Sequence, residues 1–451
     1  MKREHWKSRI GFIWSAIGSA VGLGSIWRFP YIVGQNGGAA FVVLFCIFLF
    51  FISLPVLIGE ILIGRVSQTS PNGAFRKLGK GRFWGSVGLM TIFTGFIVSS
   101  FYSVICGWTL GYLIEAISGG LTHFQSIAQS QLYFTNLVGN PLWAVGTHFG
   151  FILISIYIVY IGVQNGIEAW NKILMPLLFV VLVILVVKGL SMVGATDGLN
   201  FLFAADWKSL TPSVVIMALG QAFFGLSIGQ GTMVTYGSYL GKKDNILSTC
   251  LPIASAVILV SILAGVAIFT VVFSVGAEPT DGSNLMFQTL PMVFSQITGG
   301  YFLAIAFFLL IFLAGLTSQI SAMEPMISYL MDEKGLLRHR AVLLTGLGSF
   351  LLGIPSALSF GIWKSHTIFG MNFFDAISYL SINILIPLGG LGAVILIGWS
   401  WGLKDAFAAL QKGAGKWFIK YRFISIYLQF SIKFLAPIVI GIIFFNILGI
   451  L

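Results

Sequence analysis

Eleven runs of apolar residues, each close to the roughly 20 residues that carry an α-helix across a bilayer, account for most of the chain. They lie near 10–32, 38–64, 86–118, 142–162, 165–190, 213–240, 246–275, 300–330, 339–356, 372–403 and 427–449. A soluble core cannot absorb them. Only 9% of the 451 residues are charged, where a soluble domain uses about a quarter. In hydrocarbon every backbone polar group must bond within the protein, which leaves helices or closed barrels, and runs of this length select helices. The expected fold class is an all-α polytopic membrane protein. Several runs exceed a single crossing, which predicts tilt or helix continuing into water.

The net charge of +11 does not point to nucleic acid, because of where it sits. Lys and Arg gather at 2–9, 65–82, 172, 242–243, 334–340 and 404–422, the N-terminus and every second loop, while the alternate loops hold Lys188, Lys208 and Lys364. This asymmetry places the N-terminus in the cytoplasm. With eleven spans the C-terminus then lies on the extracytoplasmic side of an inner (plasma) membrane, with lipid around the spans. The start MKREHWKSR runs into a full-length span without a small-residue cleavage site, so no cleaved signal peptide is expected. Cys46, Cys106 and Cys250 each fall in an apolar run and read as small buried side chains. No His/Cys cluster, P-loop, G-x-S-x-G or dinucleotide fingerprint is visible. That argues against an ATP-driven pump and against an enzyme.

Two of the runs weaken their own backbone. The first contains AVGLGSIWRFP at 20–30, with Gly22, Gly24 and Ser25 together, then Arg28 and Pro30. The sixth contains GLSIGQGTM, with Gly225, Gly229 and Gly231 around Ser227 and Gln230. One glycine cluster in a membrane helix reads as a close-packing surface. Two, five spans apart, predict a 5+5 inverted repeat with broken first and sixth helices around a midplane site. A broken helix offers N–H groups to an anion and freed carbonyls to a cation. Such a site suits a zwitterion.

These residues resemble the neurotransmitter:sodium symporters, above all their bacterial, leucine-transporter-like amino-acid branch. The likeness runs through REHWKSRIGF, AVGLGSIWRFPY, NGGAAF, GEILIGR, GWTLGY, GQAFFGLSIGQG, TYGSY and AGLTSQISAMEPM, over essentially the whole chain. It implies one transporter domain over 1–451, with a first five-helix repeat at 10–190, a second at 213–403 and an additional helix at 427–449.

The resemblance also implies roles. The second sodium site would use Gly18 and Val21 from the broken first helix and Ala314, Thr317 and Ser318 from the eighth; 314, 317 and 318 share one helical face. The substrate site would use Ala20, Gly22, Leu23, Gly24 and Ser25, Tyr102 for the carboxylate, Phe224 as an aromatic lid, and Ser227 and Ser318. Val98, Ile105, Gln230 and Ala322 match side-chain pocket positions. Gly22 stands where aminergic members carry an aspartate, which disfavours monoamines. Arg28 matches the outer gate cation; its usual acid aligns with Ser378, leaving Asp375 one turn away or a looser, water-mediated gate. Arg3 and Asp332 match the inner gate pair, with Trp6, Ser238 and Tyr239 around it. Glu60 looks structural. Gly166 and Pro176 frame a segment at which relatives unwind to release sodium.

The first sodium site departs from the family pattern. Its three side-chain oxygens align with Ser25, Gly225 and Val257, leaving one hydroxyl. Gln221 and Ser261 keep part of the neighbouring chloride set, and no acid replaces the anion. The expected activity is sodium-coupled symport of neutral L-amino acids by alternating access, with one Na⁺ at the second site and no chloride. Two other readings stay open: a two-sodium symporter whose first site water completes, and a transporter of another small zwitterion or organic solute. The oligomeric state is not legible.

Overall fold

The computed structural model describes residues 4–205, 207–274, 285–420 and 422–447; Arg3 lies outside them. Among the described residues nine helices are long and apolar enough to cross a membrane: Ala39–Ser67, Arg82–Ser118, Pro141–Tyr160, Val163–Leu190, Leu247–Ser274, Gly300–Asp332, Arg338–Leu358, Phe373–Ala414 and Arg422–Asn446. A bent pair, Arg9–Ala20 and Gly24–Gln35, supplies a tenth span. Two shorter pieces, Pro212–Phe224 and Thr232–Ser238, supply the eleventh. In chain order the broken spans are the first and sixth, and the spans are named below by that order. The fold is all-α, and its one small sheet is a hairpin of Thr367–Ile368 with Met371–Asn372 ahead of the tenth span.

Helix starts follow local chemistry. Ser8 Oγ accepts from Gly11 N–H at 3.0 Å, and Thr211 Oγ accepts from Val214 N–H at 3.3 Å just before Pro212. Asn140 caps Leu142 and Trp143 ahead of Pro141. Each supplies an acceptor to N–H groups that have no partner inside the helix, and proline costs nothing at a first helical position because its missing donor was unpaired there. Wider π-type turns interrupt the spans at Gly24–Arg28, Leu49–Ser53, Val163–Glu168 and Leu380–Leu385. Such turns arise where the i→i−4 ladder is locally displaced.

The third and eighth spans pack along one another. The inner half of the first lies against the fifth, seventh and eighth, and the inner half of the sixth lies against the second. Both breaks therefore meet at the middle of the bundle, walled by the third and eighth spans. The tenth helix runs on to Lys420, beyond the expected end near 403. Helices outside the expected runs occupy Pro71–Gly79, Ile127–Gly139 and Ala195–Phe203.

Candidate functional site

The first helix stops at Ala20 and resumes at Gly24 with a 52° bend. Between the halves, Leu23 N–H donates to the Tyr102 hydroxyl at 3.1 Å. The approach is close enough to need glycine. A Cβ on Gly22 would overlap Ser318 Oγ and fall 2.8 Å from the Tyr102 hydroxyl. In the sixth span the helix ends at Phe224, and Ser227 takes a left-handed backbone, φ +52°. Its Oγ donates across to Ser19 O at 2.8 Å. Gly229 N–H donates to Glu60 Oε1 at 2.7 Å, so this buried acid fastens the second span to the sixth-helix break.

A cavity of about 40 Å³ opens between the breaks. Ala20, Gly22 and Gly24 line it from the first span, Val98 and Tyr102 from the third, Phe224, Ser227 and Gln230 from the sixth, and Ser318 and Ala322 from the eighth. Ser19 joins them, a residue the sequence reading did not single out. Leu23 and Ile105 lie one step outward, in a second cavity of about 180 Å³ that shares Tyr102 and Phe224 with the first and contains Arg28. Ser25 lines neither; its buried hydroxyl sits 3.5 Å from Ala20 O. The inner cavity offers neutral dipoles and no carboxylate.

The residues aligned with the second sodium site come together from two helices. Ser318 Oγ donates to both Gly18 O and Ser19 O at 3.1 Å. Thr317 Oγ donates to Leu313 O and Ala314 O, both 3.1 Å, on its own helix. Val21 closes the first half-helix with its N–H on Ile17 O at 2.6 Å. Carbonyl and hydroxyl oxygens without a formal charge suit a hard monovalent cation. Where the first sodium site would stand, apolar side chains replace two of the three side-chain oxygens of the family pattern. A Cβ on Gly225 would meet Val257 Cγ1 at 3.5 Å. The Gly24 carbonyl is taken by Gln221 Nε2 at 2.8 Å, and the Ser261 hydroxyl is buried without a partner.

The outer gate differs from the expected acid pair. Arg28 Nη1 donates to Gln221 Oε1 at 3.1 Å, and its guanidinium lies 5.0 Å from the Phe224 ring centroid. Asp375 instead accepts from Asn372 Nδ2 at 2.7 Å, and its own N–H is capped by Asn372 Oδ1. No hydrogen bond or ion pair joins it to Arg28. Gln221 sits one helical turn before Phe224 and takes the cation, while Asp375 is engaged by Asn372 at the start of its own helix. Ser378 lines the outer cavity.

At the end of the eighth span Asp332 Oδ2 accepts from Ser70 N–H at 2.7 Å. Trp6 Nε1 donates to Tyr236 O at 3.0 Å, and its ring meets those of Phe12, Tyr236 and Tyr239 edge-on. Ser238 Oγ donates to Thr235 O within its helix. A second polar cluster went unread in the sequence. Arg338 grips Glu324 at two points, 2.9 and 3.0 Å, Tyr239 donates to Glu324 Oε1 at 2.7 Å, and Glu4 stands 3.7 Å from Arg338. The signal was available: an acid inside an apolar span is costly unless partnered. The segment aligned with the release motif is tied to the N-terminal residues. Gly166 lies in the π-turn Val163–Glu168, where Val163 N–H donates to Glu4 Oε2 at 2.6 Å; Glu168 accepts from Lys7 N–H at 2.6 Å and Ser8 Oγ at 2.9 Å. Pro176 stands inside the fifth helix.

The chain matches the model of the sodium:neurotransmitter symporter family over residues 3–131 and 133–450. It is 38% identical to an uncharacterized sodium-dependent transporter of Bacillus subtilis, covering 100% of this chain and 99% of the relative. It is 37% identical to one of Haemophilus influenzae, covering 99% and 98%. The crystal structure of MhsT in complex with L-phenylalanine superimposes with a TM-score of 0.90 at 40% identity, covering 99% of this chain and 100% of that one. The chain belongs to the sodium:neurotransmitter symporter family, and it is a multi-pass, sodium-coupled membrane transporter, not an enzyme.

Proposed function

We propose that this protein carries neutral L-amino acids across the inner (plasma) membrane with one Na⁺ per substrate, bound at the second site, and without chloride. The observation that carries the reading is the inner cavity. Gly22 and Tyr102 line one side of it, with Leu23 N–H bonded to the Tyr102 hydroxyl just outward, and no carboxylate lines it to pair with an amine substrate. A substrate carboxylate would take the N–H and hydroxyl, and its ammonium the freed carbonyls of the two breaks. MhsT, similar over nearly the whole chain, holds L-phenylalanine.

Gly18, Val21, Ala314, Thr317 and Ser318 would hold the ion, with the hydroxyls turning their lone pairs toward it. Because the ion and the substrate share the Ser318 neighbourhood, each strengthens the other's binding, as linkage requires. The membrane potential adds about 2.3 kcal/mol per charge per 100 mV. Alternating access would rock the units 10–190 and 213–403 about the paired breaks, with Arg28 and Phe224 closing the outside. Arg3, Asp332, Trp6 and Tyr239 would close the cytoplasmic side, where the N-terminus lies, and the C-terminus lies opposite. The segment between Gly166 and Pro176 would open to release the ion.

A second reading rests on the buried Ser261 hydroxyl, which has no partner among the described residues: water with the Ser25 and Ser261 hydroxyls would complete a weak first site, giving two Na⁺ per substrate. Radiolabelled amino acids, titrated against Na⁺ at fixed ionic strength on purified protein, separate the two. A sodium Hill slope near one supports the one-ion reading. A slope near two supports the second, and no amino-acid binding at any sodium concentration overturns both.

A further inference from the structure

Asn171 lies on the fifth span, five residues after Gly166 and five before Pro176, and its side chain is fully buried. Its Nδ2 donates to Ile167 O at 2.8 Å, a carbonyl of the π-turn. That bond fixes which way the amide faces. The amide oxygen accepts no hydrogen bond among the described residues, and a buried carbonyl left unmatched destabilises the fold unless something else fills its lone pairs. A Cβ on Gly18 would overlap this oxygen and stand 3.1 Å from Thr317 Cβ. The unmatched oxygen is therefore placed where the first, fifth and eighth spans meet, against two members of the second ion site.

We propose that Asn171 is an additional oxygen donor to the sodium ion at the second site, holding it from the fifth-span side. The proposal rests on reading Gly18, Thr317 and Ser318 as that site. A neutral amide oxygen is a fitting ligand for a hard monovalent cation, and no counter-charge is needed. One side chain then has its nitrogen on the release segment and its oxygen at the ion. Unwinding between Gly166 and Pro176 breaks the bond to Ile167 O, swings the oxygen away and removes a ligand as the exit opens.

The test uses the full-length purified protein and Na⁺ itself as the probe. Thermal unfolding is followed against NaCl with choline chloride holding ionic strength constant, and then against LiCl, since a ligand that binds the folded state raises the melting temperature. Asn171→Leu is expected to raise the half-saturating Na⁺ concentration tenfold or more and to change the Na⁺/Li⁺ preference at least threefold. Loss of packing alone lowers the melting temperature without moving that preference. A half-saturation within twofold of wild type, or an unchanged preference, overturns the proposal. Should Asn171→Leu not fold, Asn171→Asp decides at pH 8: a half-saturation at least threefold lower supports the proposal, and an unchanged or higher one overturns it. If Thr317→Val abolishes the sodium response while the Asn171 variants keep it, this proposal alone fails. If wild type shows no response specific to sodium, the second-site reading fails with it.

Discussion

Arg338 holds the fully buried Glu324 by two parallel contacts, Nη1 to Oε1 at 2.9 Å and Nη2 to Oε2 at 3.0 Å, joining the ninth span to the eighth. Tyr239 adds a hydrogen bond from the sixth, so three spans meet on one carboxylate. A two-point guanidinium–carboxylate contact fixes geometry as well as charge. Removing one partner strands a buried charge, which typically costs about 3–5 kcal/mol. Arg338→Met is expected to lower thermal stability on that scale, and Arg338→Met with Glu324→Gln to recover most of the loss. The check is a double-mutant cycle by thermal unfolding in detergent. Additive losses would show that the two residues act independently.

The hydroxyl of Tyr102 accepts from Leu23 N–H in the present arrangement and also meets the Ser318 and Cys106 side chains; turning its proton from Cys106 lets it donate toward a bound carboxylate. A hydrogen bond to a charged group contributes about 1.5–3 kcal/mol, close to 10- to 100-fold in affinity. Tyr102→Phe is therefore expected to weaken amino-acid binding by that factor while the stabilisation of the substrate-free protein by sodium persists. Equilibrium binding and thermal unfolding with NaCl alone measure the two effects separately. Equal loss of both would mean that the variant has damaged the break itself.

Hydropathy located the spans because the bilayer sets their length, and the observed helices begin and end within a few residues of the expected runs. It misjudged the tenth, where the charged stretch after 403 stays helical to Lys420; hydropathy reports immersion, and a helix keeps its ladder after leaving the membrane. The breaks were legible as glycine clusters because their physics is local. The partners of the buried charges were not. Arg338 looked like one more cytoplasmic loop cation, and only the fold brings it to Glu324. Gln221 stood in the sequence as a remnant of an anion site, whereas its two ends are engaged by Arg28 and Gly24 O. The side-chain amide of Asn171 carries no pattern at all, since its meaning lies in the meeting of three spans.

The apolar contact of Gly225 with Val257 makes the one-ion reading reversible by design. Gly225 has room for a small side chain: a Cβ there meets Gln221 O at 3.2 Å and Val257 Cγ1 at 3.5 Å. Ser25→Asn, Gly225→Ser and Val257→Asn together replace one hydroxyl with three side-chain oxygens. The triple variant is expected to raise the sodium Hill slope of amino-acid binding from near one toward two. A wild-type slope already near two would remove the premise, and a slope that stays near one would mean that Gln221 on Gly24 O keeps the site closed.

Gln230 sets the last expectation. It lines the inner cavity, is 8% exposed, and its amide oxygen has no partner among the described residues. Ala322 and Val98 beside it leave space for a substrate side chain, and an unmatched acceptor on that wall favours a side chain that brings a donor. A site built to bond a polar group discriminates against an analogue lacking it, because its own group is then stranded. Gln230→Leu removes that acceptor at nearly the same volume. Affinity for tryptophan or tyrosine should fall about tenfold relative to phenylalanine, and affinity for leucine should hold or rise, as a competition panel against one labelled amino acid would measure. Parallel changes for all four would place Gln230 in support of the sixth-helix break, where its neighbours Gly229 and Gly231 both take positive φ, and not in contact with the substrate side chain.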